Sequence, residues 1–119
     1  MKPPDRDAAH LLDMLSAAQE LVEVMEGCDL ATFLQDRVRV RAVERLSEII
    51  GEAARRVSES CRKTYPHIRW REIIGQRNIL AHEYGRIDHE LLYRTVRDDV
   101  PLLIERLEAI LRSLENDNP

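Results

Sequence analysis

Apolar residues recur every three or four positions along almost the whole chain, and this period constrains the fold more than any other feature. Leu11, Leu12, Leu15, Ala18, Leu21, Val22 and Met25 draw one stripe, and Val38, Ala42, Leu46, Ile49, Ile50, Ala53, Ala54 and Val57 a second. Ile68, Trp70, Ile73, Ile74 and Leu80 follow, then Leu91, Leu92 and Val96, then Leu102, Leu103, Leu107, Ile110, Leu111 and Leu114. Such spacing places side chains on one face of an α-helix. No segment alternates as a half-buried strand would, and there is no repeat or low-complexity tract. Aromatic residues are only 4% of the chain, which also argues against sheets. The 119 residues suit one domain spanning 1–119 with one core.

Capping and breaking residues set the expected boundaries. Asp5 or Asp7, after Pro3-Pro4, caps a helix running to about Glu26, with Gly27 just past its end. Asp29 caps a short turn through Leu34. A long helix is predicted from near Asp36 to about Lys63, ended by Pro66. The next runs from His67 to about Tyr84 and closes at Gly85. Asp88 caps another, with Leu91, Leu92 and Val96 inward, and Asp98 or Asp99 caps the last, with Pro101 in its first turn. Residues 116–119 should fray. Gly51 and Gly75 fall inside helices, where each costs about 1 kcal/mol relative to alanine, and both suggest close approach of a neighbouring helix. The expectation is an all-α bundle of four to five helices, its two longest pairing antiparallel.

No apolar run is long enough to span a bilayer, and Lys2-Pro3-Pro4 is unlike a signal peptide, so the expected location is cytoplasmic with no membrane partner. Cys28 and Cys61 lack zinc-type spacing and are read as reduced, partly buried thiols. No metal or other cofactor is called for. The net charge of −4 conceals a pattern: residues 37–77 carry eleven Lys/Arg against five acids, while both flanks are acidic. A basic block attracts phosphates, and it equally fits basic and acidic elements pairing with each other or arginines facing solvent.

The block ends at Arg77, where an octet begins: Arg77-Asn78-Ile79-Leu80-Ala81-His82-Glu83-Tyr84. On one continuous helix, Arg77 and Tyr84 nearly eclipse, and Asn78 and His82 form a neighbouring stripe about 100–140° round. Histidine moves protons near neutrality, and arginine offers a permanently charged fork for phosphate oxygens. Asn78 can support either group. RNA carries its own nucleophile, the 2′-hydroxyl, so a proton carrier and a stabiliser of the charged phosphorane suffice to cleave it. One rigid helix holds Arg77 and His82 apart. A joint site needs fraying, a cleft or a second copy of the helix, which a two-fold dimer would supply.

The pattern Arg77-x4-His82-x-Tyr84 resembles the signature of HepT-type toxins, minimal members of the HEPN superfamily. The resemblance extends along the chain: Arg41-Ala42-Val43-Glu44-Arg45 and Ile49-Ile50-Gly51-Glu52-Ala53 are similar to that family's long second helix. Pro66-x-Ile68-x-Trp70-x-x-Ile73-x-Gly75-x-Arg77-Asn78 is similar to its approach to the motif, and Asp88-x-x-Leu91-Leu92 and Val100-Pro101-Leu102 to its closing helices. The resemblance implies an HEPN-like homodimer whose two motifs face each other in a cleft. It makes Arg77 and His82 a metal-independent ribonuclease pair acting on RNA, with tRNA as target. It further implies a nucleotidyltransferase antitoxin that transfers AMP to Tyr84, blocking the cleft by charge and bulk.

Arg37, Arg41 and Arg45 are candidate RNA contacts, as is Trp70 by base stacking, although core or dimer packing is the favoured reading of Trp70 and the arginines also fit a solvated face. His10, His67 and His89 read as surface or cap residues, and Tyr93 as core-edge. Two rival readings remain at this level: a non-catalytic HEPN module binding nucleotide or scaffolding a nucleotidyltransferase, and a helical dimeriser whose polar motif only fixes an interface.

Overall fold

The computed structural model of the chain describes residues 5–116. These form seven helices: α1 (Asp5–Met25), α2 (Leu30–Gln35), α3 (Arg37–Arg56), α4 (Glu59–Thr64), α5 (Trp70–His82), α6 (His89–Asp98) and α7 (Val100–Asn116). A 3₁₀ turn, Tyr84–Arg86, follows α5, and no strand occurs among the described residues. The expected all-helical architecture is present. The Pro3-Pro4 stop and most of the fraying tail lie outside the described residues.

Side-chain caps start most of the later helices. Asp29 accepts from Thr32 N at 2.8 Å, Asp36 from Arg39 N at 3.1 Å and Asp88 from Leu91 N at 3.0 Å, each meeting an amide that lacks a partner in the first turn. Gly27 has φ +70, the left-handed conformation expected just past α1. Asp98 is bound to Arg97 at 2.8 Å rather than capping α7.

The helix expected from Asp36 to Lys63 is in fact two. Val57 is extended at φ −65, ψ 136, and Ser58 restarts the chain by accepting from Cys61 N at 3.2 Å. Asp7, buried near the start of α1, accepts from Ser58 N at 2.8 Å and from Ser58 Oγ at 2.6 Å. The break therefore has a dedicated buried acceptor. This contact also sets the start of α1 against the end of α3, so the two longest helices pair antiparallel, as their lengths suggested.

The core lies between α1 and α3, with α5 on α3 and α7 on α1. Leu11, Met14, Leu21, Phe33, Val43, Leu92 and Leu107 are buried in it. Tyr93 packs its ring 5.5 Å from that of Phe33 and donates to Cys28 O at 2.7 Å. Five expected inward positions point out instead: Leu12, Val22, Leu102, Leu91 at 59% exposed and Val38 at 82%. Leu91 and Leu102, also exposed, edge an apolar groove of about 830 Å³ that runs between α5, α6 and α7. Gly75 borders that groove with nothing within 4 Å of where a Cβ would stand, so it makes no close helix contact. No helix among the described residues is long and apolar enough to cross a membrane.

Candidate functional site

Gly51 decides where Arg77 sits. A Cβ at Gly51 would overlap Arg77 Cβ and stand 3.0 Å from Ile73 O, so only glycine lets α5 approach α3 this closely. At the residue after Gly51 the charges meet: Arg77 Nη2 lies 2.7 Å from Glu52 Oε2. Arg77 Nη1 donates to Asn78 Oδ1 at 3.2 Å, and its buried Nε has no partner among the described residues. The Arg77 side chain is 14% exposed, so its guanidinium is held in one place at a polar groove of about 550 Å³ edged by Arg45, Glu48, Glu52 and Arg56. Glu52 also meets Arg55 at 3.2 Å and Arg56 at 3.3 Å. Burial acts to raise the Glu52 carboxyl. The charges of Arg55, Arg77 and Arg56 and a hydrogen bond from Arg55 outweigh it, holding the group below its ordinary value.

His82 is the last residue of α5 and is exposed, with no side-chain hydrogen bond among the described residues. It lies five positions after Arg77 on a continuous helix, about 140° of rotation and about 7.5 Å of rise. The structure therefore does not bring the two side chains together within one chain. Asn78, also exposed, lies against Arg77.

The α5 helix stops before Tyr84, which corrects the eclipsed placement expected on one continuous helix. Glu83 leaves the helical conformation at φ −131, ψ 49, and Tyr84 opens the 3₁₀ turn. Its hydroxyl turns to α3 and donates to Glu44 Oε1 at 3.2 Å and Oε2 at 3.3 Å. Glu44 is only 7% exposed, and His89 Nε2 stands 2.6 Å from its Oε2. Arg41 completes the group, with Nη1 3.6 Å from Glu44 Oε1 and its guanidinium 5.2 Å from the Tyr84 ring centroid.

Two acids of α3 thus anchor the octet, Glu52 at Arg77 and Glu44 at Tyr84. Because α5 runs antiparallel to α3, the order of contacts is reversed. Sequence reasoning gave neither acid a role and left His89 as a surface or cap residue. A signal was present for Glu44: Val40, Glu44, Ser47 and Gly51 share helical spacing with the apolar stripe, and an acid on a buried face needs partners.

The other candidates fall differently. Arg37 and Arg45 are exposed on α3, Arg45 with Glu48 at 3.5 Å. Trp70 does not present a stacking face: it is buried in the core, and its indole N–H donates to Tyr65 O at 3.0 Å. Cys28 and Cys61 are both buried free thiols. Among the described residues no three His, Cys, Asp or Glu side chains cluster as metal ligands.

Comparison with known proteins bears on the same residues. The "Ribonuclease HepT-like" family matches residues 14–110, which include α3, α5 and the whole octet. The chain is 37% identical over 102 residues to a "Putative RNase" of Methanocaldococcus jannaschii, covering 86% of this chain and 94% of that protein. It is 33% identical over 110 residues to the "Probable ribonuclease HepT" of Thermococcus cleftensis, covering 92% of this chain and 98% of that one. A "Putative RNase" of Caldanaerobacter subterraneus is 31% identical over 112 residues, 94% of this chain and 97% of that protein. No solved structure matches the chain. The all-helical fold, the extent of the match and the identities place this chain in the HepT-like ribonuclease family of HEPN proteins.

Proposed function

We propose that the chain is the toxin of a toxin–antitoxin pair and cleaves RNA, with tRNA as target, by a metal-independent reaction in a site shared by two copies. Arg77 binds and stabilises the phosphate, His82 carries the proton and Asn78 supports Arg77. The observation that carries this reading is the unequal placement of the pair. Arg77 is fixed by Gly51 and Glu52 with its Nε unspent, while His82 stands free at the exposed end of the same helix. Each copy presents half of an acid–base and phosphate-binding set, and a two-fold axis would bring the halves together.

In this scheme the 2′-hydroxyl attacks the adjacent phosphorus and the 5′-oxygen leaves. His82 takes the attacking proton or supplies the leaving one, and Arg77 offsets charge on the pentacoordinate phosphate. Arg37, Arg41 and Arg45 on α3 supply positive charge along the RNA backbone. A nucleotidyltransferase antitoxin transfers AMP to Tyr84, and the added phosphate and nucleoside block the site by repulsion and bulk. Tyr84 is 49% exposed, consistent with access by a second protein.

The test is cleavage of a tRNA pool at neutral pH with excess chelator. Wild type should cut, and His82→Ala should lose about 10²-fold or more, the usual contribution of a proton-transfer group. Cleavage by His82→Ala at the wild-type rate would overturn the assignment. Intact RNA together with nucleotide binding that depends on Arg77 would favour the nucleotide-binding scaffold instead.

A further inference from the structure

Glu44 is an acid where an RNA-binding surface has least use for one. It lies in the basic middle third of the chain, is almost fully buried, and receives donors from three elements. Arg41 faces it from its own helix, Tyr84 from the turn after α5 and His89 from α6. Charge pairing alone would be met by the arginine. The unusual member is the phenol, whose hydroxyl donates to the carboxylate while nearly half the residue stays open to solvent. A nucleophile exposed to a second protein, already donating its proton to a carboxylate, has the arrangement of a nucleophile with its base.

We infer that Glu44 is the base for modification of Tyr84, a proposal resting on the reading of Tyr84 as the AMP acceptor. The antitoxin presents a nucleoside triphosphate. Tyr84 Oη forms a bond to the α-phosphorus as the bond from that phosphorus to the bridging oxygen of the β-phosphate breaks. Pyrophosphate leaves with the electron pair, and the phenol proton passes to Glu44. His89, 2.6 Å from Oε2, fixes the carboxylate and leaves Oε1 to take the proton. His89 is therefore a positioning residue. Proton transfer to the carboxylate accompanies P–O bond formation, as general-base catalysis requires. The product oxygen carries no proton, so modification also removes the Tyr84–Glu44 hydrogen bond. Arg41, already over the ring, is a cation placed beside the modified side chain.

The competing account is that Glu44 merely ties the turn to α3. The two separate in an assay of label transfer from [α-³²P]ATP to the full-length chain by its nucleotidyltransferase. Label on wild type and none on Tyr84→Phe is expected. With that result, Glu44→Gln should lower kcat about 10²-fold or more with little change in KM for ATP, and should lose the fall in rate toward acid pH. Glu44→Asp should restore part of the rate, and His89→Gln should slow transfer while keeping the pH profile. Thermal melting of each variant checks that it folds, and an unfolded Glu44→Gln would make Glu44→Asp the deciding variant, expected to keep the acid-side fall at reduced kcat. A Glu44→Gln chain labelled at the wild-type rate and pH profile, or a folded Glu44→Asp chain without that fall, would overturn the role of Glu44 while leaving Tyr84 as acceptor. Label absent from wild type, or persisting on Tyr84→Phe, would overturn both.

Discussion

Gly51 is the residue on which the placement of Arg77 turns. Replacing it by alanine sets a methyl group against Arg77 Cβ and close to Ile73 O, and backbone cannot move aside cheaply. Gly51→Ala should cost about 1–3 kcal/mol on this ground, less up to about 1 kcal/mol recovered from the better helix propensity of alanine. It should also reduce RNA cleavage beyond any loss of folded protein, because it pushes the guanidinium away from Glu52. Urea melts paired with cleavage rates measured well below the midpoint check both. Gly75→Ala is the control: with open space there, it should be neutral or stabilising. The sequence flagged the two glycines alike as interior to helices. Only the packing distinguishes the one that meets a neighbour from the one that borders a groove.

At the scale of elements, the join between α3 and α4 carries the most specific local device. Asp7, Ser58 and Cys61 meet there across more than fifty residues of sequence. Asp7→Ala leaves Ser58 N–H and Oγ without their acceptor and should destabilise by about 1–3 kcal/mol, read from the shift in the denaturation midpoint. Burial, with the charge of Asp7 added, pushes the Cys61 thiol up to about 11 from its ordinary 9.0. A group raised in the folded state stabilises fully below its unfolded value and loses that contribution as pH rises through the folded one. Stability from this group should therefore hold up to about pH 9 and decline toward about 11. Alkylation of Cys61 in the folded chain should be slow at neutral pH and faster in Asp7→Ala, as mass spectrometry of iodoacetamide-treated protein would show. The break between α3 and α4 was not legible beforehand, because apolar periodicity runs smoothly through Val57 and the acceptor that rewards the break comes from α1. The cap residues Asp29 and Asp88 were legible, since each acts on an amide three residues away.

On the scale of the molecule, the question is how two separated side chains make one site. If Arg77 of one copy works with His82 of the other, Arg77→Ala and His82→Ala chains should each be inactive alone. Mixed and re-annealed, they should recover cleavage, because each heterodimer contains one site with both groups intact. Failure of the mixture to recover would place the pair within one chain. The apolar groove between α5, α6 and α7 adds an exposed face edged by Leu91 and Leu102. Both were expected inward from their helical period, and both lie on a face that no element among the described residues covers.

Helical period, caps and residue chemistry are local properties, and the sequence by itself was enough for them. It determined an all-helical chain, most helix starts, and an octet whose arginine and histidine suit phosphate chemistry. It also determined that those two groups cannot meet on one helix, since that follows from the pitch alone. Tertiary structure decided which neighbours the octet has. Glu52 and Gly51 fix Arg77, and the end of α5 at His82 frees Tyr84 to reach Glu44, which His89 also meets. Those partners stand far away in sequence and are matched by the close antiparallel packing of α3 and α5. The distance between two helix axes, set here by a missing methyl group, is written in no single segment of the chain.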